Sequence, residues 1–294
     1  MLEDDKNGLS HLIEKEINSN DKILKPDFSH KTGRELLAFY LQTKFKQIIA
    51  LDSKAEKSVF IDIKYDFIQK FTRRLILNPE KRIMIGITGE SASGKSTICK
   101  TIANVIEGFD MPVTILTTDN YFNDISELVN RYGTFDALRD NGFDIDSPDN
   151  FQLPILKEDL ESLSQGEIIY SPVYHLNGTG ISLPKSRLVE SNKVVVVEGM
   201  ASMYKDIKDV FDIKVYVETD LDLRKERFLA RAHTERNQDL ENAKKHWEYI
   251  LVAGEKYVKP ARKEADIILN GDADLSYFYH ILEYLYTITN NFKG

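Results

Sequence analysis

From residue 81 onward, two patterns of hydrophobic and polar positions alternate along the chain. Continuous apolar runs, typical of buried strands, occupy residues 82–88, 113–117, 194–198, 213–217 and 266–269. Segments with apolar residues at helical spacing occupy residues 95–107, 154–164, 221–236, 239–257 and 275–290. Strands that alternate with helices predict a parallel sheet covered on both faces. The predicted fold class is therefore α/β, a three-layer sandwich.

Residues 1–80 lack this alternation and carry apolar residues at helical spacing. The last such group contains Phe60, Ile63, Phe67, Ile68 and Phe71. We therefore predict a helical N-terminal extension over residues 1–80, followed by the α/β domain over residues 81–294. The sequence leaves two roles open for the extension: packing against the domain or a second subunit of a homo-oligomer, and regulation or capping of a substrate site.

Two segments rich in Gly, Asp, Asn, Ser and Pro interrupt the pattern, at residues 131–150 and 171–192. We predict that both are loops over the strand ends. Ligands of parallel sheets bind at that edge.

The sequence Gly89–Ser96 matches G-x-x-x-x-G-K-[ST] between a predicted strand and a predicted helix. Glycines allow the loop amides to point inward around a triphosphate, and the helix N-terminus adds positive charge. Lys95 would reach the β- and γ-phosphates, and the Ser96 hydroxyl would ligate Mg²⁺. This motif predicts a P-loop NTPase. The predicted nucleotide-binding residues are Gly89, Glu90, Ser91, Ala92, Ser93, Gly94, Lys95, Ser96 and Thr97.

Two carboxylates follow predicted strands of the same sheet. Asp119, after strand 113–117, is positioned to orient an acceptor hydroxyl and accept its proton, although it could also cap a following helix. Glu198, after strand 194–198, is a candidate Mg²⁺ ligand, although it could be an ordinary surface residue at a strand end.

A basic stretch occupies the predicted helix that follows strand 213–217. Its cations are Arg224, Lys225, Arg227, Arg231 and Arg236. Arginines on a mobile lid, over about residues 224–240, would neutralise charge on a transferring phosphoryl group. The alternative is a solvated helix face. His233 and His246 are predicted to be surface residues.

Composition narrows the partners of the protein. The 294 residues carry a net charge of −8, which argues against nucleic acid as a partner. The single cysteine, Cys99, excludes an intramolecular disulfide and is predicted to be buried. The sequence shows no run of eighteen apolar residues and no signal-peptide pattern. We therefore expect a cytoplasmic protein without membrane association.

Four short motifs accompany the P-loop along the chain: Thr118–Phe122, Ile145–Phe151, Pro172–Tyr174 and Val197–Gly199. Together with the P-loop, they resemble one family of P-loop kinases, the uridine kinase / phosphoribulokinase / pantothenate kinase group. The resemblance extends over about residues 82–275 and is greatest to the uridine–cytidine kinases.

This resemblance implies roles for individual residues. Asp119 matches the family's base, Asp146 the aspartate that binds the ribose hydroxyls, and Tyr174 the tyrosine that lines the nucleoside pocket. Ser96 and Glu198 match the residues that serve Mg²⁺. Further matches are the lid arginines Arg231 and Arg236, and the motif residues Tyr121 and Phe122, which are substrate-binding candidates.

The chain also departs from the uridine kinase pattern. Thr179 occupies the position of a base-reading histidine, Gln238 that of an arginine, and His175 that of an aspartate. Pantothenate kinases resemble the chain in two other respects, a helical N-terminal extension and a Thr-Thr-Asp sequence like Thr117–Asp119.

The resulting hypothesis is a kinase that uses ATP and Mg²⁺ to phosphorylate a hydroxyl group of a small molecule, in the manner of a uridine kinase. A pantothenate, sugar or other metabolite kinase is the alternative within the superfamily. A non-catalytic nucleotide-binding interaction protein is the second alternative. A GTPase is disfavoured because the nearest guanine-reading candidate, Asn192–Val195, lacks its aspartate.

Overall fold

A computed structural model describes residues 58–64, 66–67, 70–71, 74, 78, 80–108, 112–175, 178–234 and 239–274, together with residues 43, 46, 47 and 50. Within this part of the chain, a six-stranded sheet and a two-stranded sheet are present. The strands are β1 (Phe60–Ile63), β2 (Ile83–Thr88), β3 (Val113–Thr117), β4 (Ile169–Tyr174), β5 (Ser182–Val189), β6 (Val194–Glu198), β7 (Ile213–Glu218) and β8 (Ile267–Asn270). The helices are α1 (Lys95–Glu107), α2 (Ser126–Tyr132), α3 (Phe135–Asp140), α4 (Leu153–Gln165), α5 (Leu221–Thr234) and α6 (Leu240–Ala253).

The main sheet has the strand order β1-β8-β7-β2-β6-β3. Its five strands from β8 to β3 are parallel, and β1 is antiparallel to β8 at one edge. The five predicted strands and the first four predicted helices are present, with bounds that differ by a few residues at most among the described residues. The fourth predicted helix, 239–257, consists of α6 and a π-helical turn over Gly254–Val258 that follows it directly. The last predicted helix, 275–290, lies outside the described residues.

Helices cover both faces of the main sheet, as the apolar strand sequences predict. Four consecutive valines make β6 apolar on both sides, and all four are buried. On one face Val196 packs with Ile98 and Ile102 of α1, and on the other Val195 packs in the cluster that contains Leu156 and Leu160 of α4. The fold is therefore an α/β three-layer sandwich with the P-loop at the carboxyl end of β2.

The helical prediction is wrong for residues 60–63, which form β1. This strand pairs with β8, with Phe60 opposite Leu269 and Ile63 opposite Ile267. The buried residues Phe67 and Phe71 extend the same core towards α1. Phe60 and Ile63 are three residues apart, a spacing compatible with a helix, but pairing with the edge of β8 determines the conformation. Most of residues 1–57 lie outside the described residues, and the division at residue 80 stays a prediction.

The two segments predicted as loops contain regular structure. Residues 131–150 include the end of α2 and all of α3, and residues 171–192 form most of the β4–β5 hairpin. Lys185 in this hairpin has a positive φ of 48° and lies where the β4–β5 register is irregular, between Leu183 and Arg187. The polar composition of these segments reflects their exposure, since β5 is exposed along most of its length.

Among the helices that the structure describes, none is both long and apolar enough to cross a bilayer.

The burial of Phe67 generates a first prediction. Phe67 is 3% exposed and belongs to the same core cluster as the P-loop helix α1. We expect Phe67→Ala to lower the free energy of unfolding by about 3 kcal/mol, because it leaves a cavity in that core. Urea denaturation of the full chain measures this change. Ile61→Ala, at a 45% exposed position on β1, is the control and should cost much less. An unchanged transition for Phe67→Ala would show that this segment does not stabilise the α/β domain.

Candidate active site

The nucleotide-binding loop predicted from the sequence connects β2 to α1 at the carboxyl edge of the sheet. Its backbone has positive φ angles at Gly89 (154°), Ala92 (61°) and Gly94 (100°). A Cβ atom at Gly89 would clash with the Val217 carbonyl oxygen, so a glycine is needed where the loop leaves the sheet. Ala92 differs from the other two residues because it has a side chain. An L-residue with this φ is strained unless neighbouring contacts stabilise it.

Lys95, the first residue of α1, lies among the charged groups of the site. Its Nζ donates a hydrogen bond to the Glu90 carbonyl oxygen at 3.1 Å. Burial lowers the pKa of Lys95, the carboxylates of Glu198 and Asp119 oppose that shift, and Arg231 adds to it. Two carboxylates and a second cation therefore lie within electrostatic range of Lys95, the lysine predicted to contact the phosphates.

Asp119 lies in a single 3₁₀ turn, Thr118–Tyr121, directly after β3. The Asp119 N–H donates to Thr117 Oγ1 at 3.3 Å, and the Ala201 N–H donates to Thr118 Oγ1 at 3.3 Å. Gly199 has a φ of 133°, and a Cβ atom there would clash with Thr118 Oγ1 and lie 3.3 Å from Asp119 Oδ1. This close approach places Asp119 beside the carboxyl end of β6, where Glu198 lies.

The predicted magnesium ligands Ser96 and Glu198 line the same cleft. Within the described part of the chain, no group of three or more His, Cys, Asp or Glu side chains could hold a metal ion. One hydroxyl and one carboxylate supply at most a minority of the six ligands that Mg²⁺ prefers. This donor set fits an ion whose remaining ligands are phosphate oxygens and water, not a metal site built by protein alone.

The acceptor side of the cleft combines aromatic rings with a partly buried carboxylate. The Phe122 ring lies 5.2 Å from that of Tyr174 and 4.1 Å from that of Phe151. Asp146 lines the cleft beyond α3, where burial raises its pKa and the nearby Arg139 opposes the shift. Burial also raises the pKa of Tyr174 to about 12, so its hydroxyl is a neutral donor and acceptor at ordinary pH. These groups present an apolar ring surface beside one hydrogen-bonding acid.

Tyr121 is not a substrate contact, contrary to the prediction. Its side chain is fully buried in the core between the sheet and α4, and its hydroxyl donates to Asp159 Oδ2 at 2.7 Å. Of the two aromatic residues after Asp119, only Phe122 lines the cleft. The backbone turn directs one ring inward and the other outward, which the sequence alone does not indicate.

The arginines of α5 divide into three environments. Arg224 is buried and contacts the P-loop, so it is not on a solvated face or a mobile lid. Arg227 donates to the Gly271 carbonyl oxygen at 3.1 Å and pairs with Asp272. Arg231 lines the cleft, and its Nε is buried without a hydrogen-bond partner among the described residues. An unpartnered guanidinium nitrogen beside Lys95 fits an anionic ligand. Arg236 and Gln238 lie outside the described residues.

The residues of the cleft that the sequence analysis missed include Arg139 and His246. Arg139 is on α3, in a segment predicted as a loop, and lies 3.5 Å from Asp136. His246 was predicted on the surface, but it lines the cleft with its ring edge against Phe228 at 5.3 Å. The positions of Arg139 and His246 in the cleft depend on how α3 and α6 pack relative to each other. A pattern of residues close together in the sequence does not indicate that packing.

Ion pairs connect the two walls of the cleft beside these residues. Lys245 of α6 lies 2.6 Å from Asp140 at the end of α3. Lys256 and the Tyr257 hydroxyl contact Asp144 at 3.0 Å and 2.5 Å. The cleft has a volume of about 1490 Å³ and is lined by both acidic and basic side chains. It is large enough for a nucleotide and a second small molecule together.

The raised pKa of Asp146 predicts a stability change in its neutral variant. Ionisation of Asp146 is penalised in the folded state, so its contribution to the free energy of unfolding falls as pH rises from about 4 through the raised pKa. Asp146→Asn should therefore raise the melting temperature at pH 7.5, and the difference should shrink towards pH 4. Thermal denaturation across this range checks the prediction, with the exposed Asp209→Asn as control. A melting temperature lowered by Asp146→Asn at pH 7.5 would contradict it.

Comparison with known proteins identifies relatives that match about two thirds of this chain. A uridine kinase of Staphylococcus haemolyticus is 32% identical over 189 residues, which are 63% of this chain and 86% of that protein. The uridine kinase of Saccharomyces cerevisiae is 31% identical over 196 residues, 65% of this chain but only 37% of the yeast protein. Among solved structures, a candidate fructose transport system kinase from Silicibacter sp. TM1040 shares the fold, with a TM-score of 0.50, 16% identity and coverage of 67% of this chain and 92% of that one.

The family model described as "Phosphoribulokinase / Uridine kinase family" matches residues 84–274, from the second residue of β2 to the segment after β8. That range contains the P-loop, Asp119, Asp146 and Glu198. It covers well over half of the sequence. The chain belongs to the phosphoribulokinase / uridine kinase family.

Proposed function

We propose that this protein is a kinase that transfers the γ-phosphoryl group of ATP to a hydroxyl group of a small molecule. The observation that carries this proposal is the convergence of Lys95, Asp119, Glu198 and Arg231 in one cleft. Membership in a family of kinases supports the same reaction.

The chain's own residues account for the parts of a phosphoryl transfer. The loop amides and Lys95 would bind the phosphates of ATP, and Arg231 would neutralise charge on the transferring group. Asp119 would orient the acceptor hydroxyl and accept its proton while the oxygen bonds to phosphorus and the bond from phosphorus to the ADP oxygen breaks. Ser96 and Glu198 would hold Mg²⁺, which supplies further charge neutralisation on the phosphate oxygens.

A nucleoside is the acceptor that we propose first. Uridine kinases of Staphylococcus haemolyticus and Saccharomyces cerevisiae are relatives of this chain. The Phe122 and Tyr174 rings, which contact each other at 5.2 Å, offer an apolar surface on which a planar base would pack, and Asp146 can accept hydrogen bonds from sugar hydroxyls. Thr179 stands where the uridine kinase pattern has a histidine, so a pantothenate-like or sugar acceptor is the second candidate.

Detection of phosphorylated product by mass spectrometry tests the proposed reaction. The protein is incubated with Mg²⁺, ATP and a pool of uridine, cytidine, other nucleosides, pantothenate, sugars and sugar phosphates. A nucleoside monophosphate supports the first acceptor, and another phosphorylated product supports the second. ATP binding without any product from the pool would favour a non-catalytic nucleotide-binding protein.

The role of Asp119 predicts a selective loss of turnover. Asp119→Asn should lower kcat by a factor of about 10² to 10⁴, because an amide cannot accept the proton. The affinity for ATP should be retained or increased, since a negative charge near Lys95 is removed. Steady-state kinetics and calorimetric titration with ATP measure the two effects.

The exposed Asp206→Asn variant is the control for this experiment and should keep wild-type kinetics. If Asp119→Asn turned over at the wild-type rate, Asp119 would have no place in the mechanism.

A further inference from the structure

Arg224 is the most deeply buried cation of α5, and the reaction proposed above does not use it. Its side chain is 4% exposed. Nη1 forms an ion pair with Glu90 Oε2 at 2.8 Å, and Nε donates to the Ser91 carbonyl oxygen at 3.1 Å. The guanidinium carbon lies 5.6 Å from the ring centroid of Trp247, which is itself buried. One side chain therefore contacts two successive residues of the P-loop and one residue of α6.

The contact with Ser91 fixes the orientation of a peptide group in the loop. A trans peptide is planar, so the Ser91 carbonyl and the Ala92 N–H point in opposite directions. Because Arg224 binds the carbonyl, the Ala92 N–H is directed away from Arg224. Ala92 lines the cleft and has a φ of 61°, a conformation that external contacts must stabilise. Arg224 supplies such a contact.

A second residue close to Arg224 in the sequence binds a later residue of the P-loop. Thr219, between β7 and α5, donates its hydroxyl to the Ser93 carbonyl oxygen at 2.7 Å. The carbonyls of Ser91 and Ser93 are thus both bound by the β7–α5 segment. Thr219 and Arg224 thus bind the P-loop carbonyls that point away from the cleft. The side of the loop that faces the cleft remains available for a ligand.

Glu90 connects this arrangement to the lysine of the motif. Its carboxylate pairs with Arg224, and its carbonyl oxygen accepts the hydrogen bond of Lys95 Nζ at 3.1 Å. Gly254, after α6, packs so closely that a Cβ atom there would lie 3.0 Å from Glu90 Oε1. The loop, α5 and α6 are therefore packed around one buried ion pair.

We infer that Arg224, paired with Glu90, is a positioning residue that fixes the P-loop in its phosphate-binding conformation. The inference rests on the proposed function because it assigns Arg224 to ATP binding. It also limits movement of the predicted lid, since the first turn of α5 is attached to the loop.

Arg224→Met tests the inference, because methionine keeps the packing on Trp247 but removes both polar contacts. We expect the dissociation constant for ATP to rise by at least tenfold, measured by calorimetric titration well below the melting temperature. The KM for the acceptor should change by less than threefold. The exposed neighbour variant Lys225→Met is the matched control and should bind ATP as the wild type does.

The double variant Arg224→Met/Glu90→Gln separates positioning from charge compensation. Glutamine removes the unpaired buried carboxylate, so the double variant should regain stability relative to Arg224→Met. Its ATP affinity should stay reduced, because the Ser91 carbonyl is still unbound. Recovery of ATP affinity together with stability would overturn the inference. If Arg224→Met does not fold, Arg224→Lys provides the same readout, with an expected rise in the dissociation constant because an ammonium group cannot match the two-point contact.

The outcomes also separate this inference from the proposed function. Failure of the wild-type protein to bind ATP would contradict the proposed function itself. Wild-type ATP affinity in folded Arg224→Met would overturn only the role of Arg224.

Discussion

The close approach of the carboxyl ends of β2, β6 and β3 is the constraint on which the site depends. Parallel pairing sets Thr117 opposite Glu198, and the absence of a side chain at Gly199 lets the turn with Asp119 pack against β6. A larger residue at Gly199 would separate the two carboxylates. Glu198 at the end of β6, Asp119 in the turn after β3 and Lys95 at the start of α1 therefore lie at the carboxyl ends of three strands whose spacing is fixed by backbone hydrogen bonds.

The opposite wall of the cleft is built differently, from helices joined by charged side chains. α5 contacts the P-loop through Arg224 and the segment after β8 through Arg227, and α6 contacts the end of α3 through Lys245. Exposed ion pairs such as the one formed by Lys245 contribute little to stability, whereas the buried Arg224 pair requires both partners. The sheet side of the site is consequently rigid, and the outer rim of the helical side is held by weaker interactions.

The electrostatics of the cleft are consistent with two different ligands in one cavity. Cations cluster at the P-loop, where Lys95 and Arg231 lie, and the carboxylate of Asp146 dominates the acceptor side. An anion is favoured at the first position and a neutral hydrogen-bond donor at the second. Asp119 lines the same cleft from the turn that follows β3.

The sequence by itself determined the five parallel strands of the sheet, the helices that follow them and the position of the P-loop between β2 and α1. Continuous apolar runs and the spacing of Gly89 to Ser96 are local signals, because strands and P-loops depend on residues close in the chain. The tertiary structure alone decided that Phe60–Ile63 form an edge strand, that Tyr121 is in the core and that His246 lines the cleft. Each of these depends on which surface lies opposite, and residues far apart in sequence supply that surface. Arg224 is the clearest case, since only the packing of α5 against the P-loop distinguishes it from the other arginines of its helix.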